Sequence, residues 1–127
     1  MRTLDTNSED LCAFMEQPEA GPVVMINLLR FREQTDSREA GDDVYARYAR
    51  NAAPMVAAVG GRLLWQGRPT HLIVGEDADR WDKVLMVEYP SRAAFAQMAS
   101  DPRFQEVQKD RLDALEETVL IACTPHQ

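Results

Sequence analysis

Residues 21–31 read Gly-Pro-Val-Val-Met-Ile-Asn-Leu-Leu-Arg-Phe, the longest nearly apolar run in the chain, broken only by Asn27. A short apolar run rich in Val, Ile, Leu and Met, opened by Gly-Pro, fits a strand buried on both faces. It is too short to cross a membrane as a helix, which takes about 20 apolar residues. In extended geometry Val23, Met25, Asn27 and Leu29 share one face, and Val24, Ile26 and Leu28 the other. Both faces are apolar, so each needs a cover. Asn27 is the exception, because a buried amide left unpaired costs about 1–3 kcal/mol. It is either a structural amide bonded to neighbouring backbone or water, or a polar group orienting a ligand in an apolar pocket.

The flanking chain supplies the other elements. Residues 7–17 predict a short helix capped by Asn7 or Ser8, with Leu11, Phe14 and Met15 on one stripe. Residues 32–41 hold almost nothing apolar and read as a solvated, mobile loop. Asp42 or Asp43 is the expected cap of the next helix. Tyr45, Tyr48, Ala52, Met55, Val56 and Val59 form its apolar face, with Pro54 expected to kink or restart it. Gly60-Gly61 closes that helix. Residues 62–67 predict a strand with Leu63 and Trp65 on one side, and residues 70–74 a further extended segment. Residues 83–89 form the next strand, ended by Pro90. Ser91 caps one short helix and Asp101-Pro102 starts another, lined by Phe104, Val107, Arg111, Leu112 and Leu115. Residues 117–123 form the last strand.

The order is β-α-β-β-α-β with an extra N-terminal helix. It predicts an α+β, ferredoxin-like antiparallel sheet with helices on one face. The whole chain, 1–127, is expected to be a single domain in which 1–20 are a helical extension. Strands apolar on both faces but covered on one call for a second layer. A second copy, packed sheet to sheet in a homodimer, is the economical cover.

With 21 acidic and 14 basic residues, the net charge of −7 argues against nucleic-acid binding. Cys12 and Cys123 each sit in apolar surroundings and read as small buried hydrophobes of a reducing compartment. No apolar leader follows Met1, and a cytoplasmic protein is expected.

Residues 24–31, Tyr45-Ala46-Arg47-Tyr48, Gly60-Gly61, Trp81-Asp82-Lys83-Val84, Glu88-Tyr89-Pro90-Ser91 and Asp101-Pro102-x-Phe104 resemble the DUF1330 family. That family lies within the dimeric α/β-barrel superfamily, and the likeness runs from about Gly21 to Pro125. It implies a ferredoxin-like subunit that forms a barrel dimer. The superfamily holds cofactor-free monooxygenases, muconolactone isomerases, haem proteins and small binding proteins, so a reaction follows from it only by fold-level analogy.

No catalytic signature stands out. His71 and His126 are the only histidines, and no cluster has metal-ligand spacing, so no metal or cofactor is called for. Glycine-rich phosphate loops and a Gly-x-Ser-x-Gly elbow are absent. Asn27, Tyr48 and Arg111 are the candidate catalytic residues, with Arg30 and Trp65 as substrate-binding neighbours around a cavity between sheet and helices. The Arg111 fork suits a carboxylate, or else a salt bridge to Glu88 or another acid. Three roles follow: a cofactor-independent enzyme, monooxygenase- or isomerase-like, on a small, partly apolar and carboxylated molecule; a non-catalytic binding or sensing module; or a barrel filled by its own side chains.

Overall fold

The computed structural model describes residues 4–125, and His126 lies outside them. The elements are α1 (Ser8–Glu16), β1 (Val23–Phe31), α2 (Gly41–Ala58), β2 (Arg62–Gly67), β3 (Lys83–Tyr89), α3 (Arg92–Ala99), α4 (Pro102–Ala114) and β4 (Leu115–Cys123). The four strands make one antiparallel sheet in the order β2-β3-β1-β4. This is the ferredoxin-like arrangement, with α1 added in front.

β1 sits between β3 and β4, so its alternation sorts the whole sheet. Val23, Met25, Asn27 and Leu29 are buried. Val23 and Met25 pack with Ala52 of α2, Met98 of α3 and Phe104 of α4. Leu29 joins Val44, Tyr45, Ala114 and Leu115 in a second cluster. Cross-strand register carries the same parity to Leu85, Val87 and Tyr89 on β3 and to Thr118 and Leu120 on β4. The opposite parity gives Ile26 and Leu28 on β1, Val84 and Met86 on β3, and Val119 and Ile121 on β4. No described helix covers that second face, where Ile121 is 44% and Trp65 53% exposed.

Several local expectations need amendment. α2 begins after Ala40 without a side-chain cap, and Asp42 and Asp43 lie in its first turn instead, where carboxylates favour the helix dipole. The helix continues through Pro54, whose exposed position lets water satisfy the freed carbonyl. Residues 70–74 form no strand, and Ile73 and Val74 stand almost fully exposed. Gly60, at φ +83°, does close α2 in the left-handed region. Ser91 caps α3 through the Ala94 amide, and Asp101 caps α4 through Arg103.

Residues 32–41, expected as a mobile loop, are tied to the body. The Asp113 carboxylate accepts from the Asp36 amide at 2.9 Å and from the Ser37 hydroxyl at 3.1 Å. Thr35 is buried beneath them. The loop ends at Gly41, where an added Cβ would lie 2.2 Å from the Arg32 carbonyl and 2.7 Å from that of Ala114. Only glycine admits this crossing of three backbone segments. The extension is fastened too. The Glu19 carboxylate accepts from the Arg92 and Ala93 amides at the start of α3, and Phe14 stacks edge-on against Phe95.

Candidate functional site

Between the helix layer and the sheet lies a cavity of about 310 Å³, at the small end of the roughly 300–1,000 Å³ that ligand sites occupy. Met25, Asn27, Leu85, Val87 and Leu120 form its sheet wall. α2 contributes Tyr45, Tyr48, Ala49, Ala52 and Val56, and the far helices add Phe95, Met98, Phe104, Gln108 and Arg111.

Three of the five candidates meet here. Asn27 is 8% and Arg111 9% exposed, and both line the cavity with Tyr48. Arg111 reaches inward because α4 carries it on the same face as Phe104 and Ala114, all three buried. Its Nη2 donates to Asn27 Oδ1 at 3.4 Å and to Thr118 Oγ1 at 3.3 Å, while Thr118 donates to the Leu28 carbonyl. Among the described residues the Asn27 amide nitrogen reaches only the Met25 carbonyl, at 3.5 Å, a long contact. Asn27 is therefore both structural and cavity-facing.

The expected salt bridge from Arg111 to Glu88 is not made. Glu88 pairs with Val24 in register, on the opposite face, and binds Arg62 at 2.9 Å. Among the described residues Arg111 meets no carboxylate.

Two candidates lie elsewhere. Trp65 was expected to share the cavity side of β2 with Leu63, but the register slips between them: Leu63 faces Val87 and Trp65 faces Met86. One extra residue in the strand inverts the parity beyond it. Leu63 and Gln66 point to the cavity, and Trp65 to the open face. Arg30 also belongs to the open face. It bridges Glu117 at 2.8 Å, stacks on Trp81 at 4.7 Å and donates to the Ala78 and Arg80 carbonyls. It clamps the turn before β3 onto the sheet rim and takes no part in the cavity. His71 is exposed, and its Nδ1 lies 3.1 Å from the Thr70 hydroxyl.

Residues missed by the sequence reading complete the site. Lys83 lines it, with its ammonium 5.7 Å from the centre of the Tyr45 ring. Tyr45, Gln66 and Gln108 add further polar atoms. Burial pushes the Tyr45 hydroxyl up to about 12, against the opposing pull of Arg111. Burial also raises Tyr48, again opposed by Arg111. Both hydroxyls therefore keep their protons at neutral pH and serve as donors. No aspartate, glutamate or histidine is among the described residues lining the cavity. No group of three or more metal-ligating side chains occurs among the described residues either. The arrangement can hold a ligand and stabilise negative charge on it; it presents no carboxylate or imidazole as a base.

The fold and its sheet–helix cavity define a ferredoxin-like α+β protein. The chain belongs to the family described as "Domain of unknown function (DUF1330)", whose model matches residues 37–124. It is similar to a protein of unknown function, RPA0582, from Rhodopseudomonas palustris. The two share 33% identity over 100% of this chain and 99% of that one, with a TM-score of 0.93. A hydroxynitrile lyase from Passiflora edulis shares the fold at 16% identity, over 84% of this chain and 94% of its own, with a TM-score of 0.62. A dimeric ferredoxin-like protein from Thermobifida fusca does so at 13% identity, over 98% and 99%, with a TM-score of 0.54. No curated protein matches the chain. No described helix is long and apolar enough to cross a membrane.

Proposed function

We propose that the chain is a homodimeric, cytoplasmic protein that binds a small, partly apolar molecule in the cavity between its helices and its sheet. The observation that carries this is a group of donors, the buried Arg111 and Tyr45 with the half-buried Tyr48, in a cavity walled mainly by apolar side chains. That is the usual make-up of a small-molecule site. The dimer reading rests on the uncovered apolar sheet face and on the dimeric relatives that share the fold. The cytoplasmic reading rests on two unpaired cysteines.

A catalytic extension rests on the same donors. Two protonated tyrosines and a guanidinium suit an oxyanion or enolate, as a cofactor-independent enzyme of monooxygenase or isomerase type would require. The lyase on this fold supports it by analogy only. Without catalysis the same cavity serves a binding or sensing module.

Thermal melting against a panel of small anionic, neutral and cationic compounds tests the site. A ligand at 100 times its Kd stabilises by about 2.7 kcal/mol. At least one compound is expected to raise the Tm saturably. Ala49→Trp, an exposed α2 position lining the cavity, is expected to abolish that rise while leaving the unliganded Tm nearly unchanged. A rise that persists in Ala49→Trp, or no rise with any compound, contradicts the reading. Mass spectrometry of the incubated hit then separates turnover from binding alone.

A further inference from the structure

The cavity's charge runs against that of the whole chain. Acidic residues outnumber basic ones 21 to 14, yet the cavity is lined by Arg62, Lys83 and Arg111 and by no acid among the described residues. Arg62 is already paired with Glu88 at the rim. Lys83 and Arg111 make no ion pair among the described residues, and Arg111 is nine-tenths buried. A buried guanidinium answered, among the described residues, only by a side-chain amide and the hydroxyls of Thr118 and Tyr45 is costly, because buried charges are ordinarily paired. No described acid supplies its counter-charge, which leaves that place to a ligand.

We infer that the ligand is a small organic monocarboxylate, its head between Arg111 and Lys83 and its apolar body toward Met25, Val87, Phe95 and Met98. This rests on the cavity being the ligand site. Cross-strand register fixes the polarity. Lys83 pairs with Leu29 and Leu85 with Asn27 at one end, while Val87 pairs with Met25 at the other. Arg111 stands over the first end through its bonds to Asn27 and Thr118. At the second end Tyr89 spends its hydroxyl on the Met98 sulfur at 3.9 Å, leaving apolar surface. A planar fork matches a carboxylate bidentately; the bonds to Asn27 and Thr118 both use Nη2 and one further bond goes to the Tyr45 hydroxyl, which still leaves donors of the fork for the ligand. The volume equals about ten waters at about 30 Å³ each, which suits an acid of this size and no large conjugate.

Isothermal titration of the purified protein with hexanoate and phenylacetate, against hexanamide and phenylacetamide, tests the inference. Each amide keeps the shape of its acid and removes the charge. The acids are expected to bind at least about tenfold more tightly. That advantage should vanish in Arg111→Gln and shrink in Lys83→Gln, a half-buried position where the fold is retained. Amides binding as well as the acids, or neither acid binding, overturns the inference. So does a tightest compound from the melting panel that is neutral or cationic. If Ala49→Trp abolishes that compound's effect, the cavity reading stands and only the carboxylate falls.

Discussion

An Ile26→Asp chain is expected to run as a monomer of about the 14.4 kDa chain mass, where the parent runs at twice that mass. Ile26 lies mid-strand on the central β1, paired with Met86 on one side and Ile121 on the other. All three face the side of the sheet that no described helix covers. In a two-fold dimer built on this face each substitution occurs twice, so the interface receives two uncompensated carboxylates. Desolvating an unpaired charge costs several kcal/mol, which weakens the dimer by well over a hundredfold. Inside the isolated subunit the same aspartate faces water and disturbs little of the helix-side core. Light scattering behind size exclusion at micromolar concentration reads the outcome. A parent that already runs as a monomer, or a variant that stays dimeric, removes the sheet face from the interface.

Arg111→Met is expected to do the opposite to stability and to harm binding. Methionine keeps the length and apolar stem of the side chain and removes a charge that no described acid answers. The ligand-free protein should gain about 1–2 kcal/mol, as buried charges replaced by well-packed apolar groups often do. Part of the gain is offset by the acceptors of Asn27 and Thr118, which then rely on water in the cavity. Carboxylate affinity should fall by at least about thirtyfold, near 2 kcal/mol, since truncating one partner of a buried charge pair commonly costs that much or more. Urea denaturation without ligand decides between roles. A loss above about 1 kcal/mol would make Arg111 a structural strut between α4 and the sheet.

The sheet was legible because β1 announces itself: Gly21-Pro22 opens it and the apolar run fixes its two faces. Arg111 was legible for a related reason, since its place on one helical face with Phe104 and Val107 required its stem to turn inward. Trp65 was not, because a slip of register inside β2 reverses parity, and no residue between Leu63 and Trp65 signals it. Arg30 stands an odd number of positions from Asn27, so alternation alone places it on the opposite face. Lys83 entered the site through its pairing with Leu29, a register that chain order does not contain. The 32–41 segment read as a free loop because its anchor, Asp113, lies more than 70 residues away. Local composition described each piece well. The long-range pairings decided which pieces met.

The most direct measurement is a crystal structure of the protein grown with the monocarboxylate that binds best. The account predicts two chains facing sheet to sheet, and in each the carboxylate within about 3 Å of the Arg111 guanidinium, its apolar body toward Phe95 and Met98. Arg111 paired to an acid of either chain, with the cavity closed and the carboxylate bound elsewhere, would contradict it.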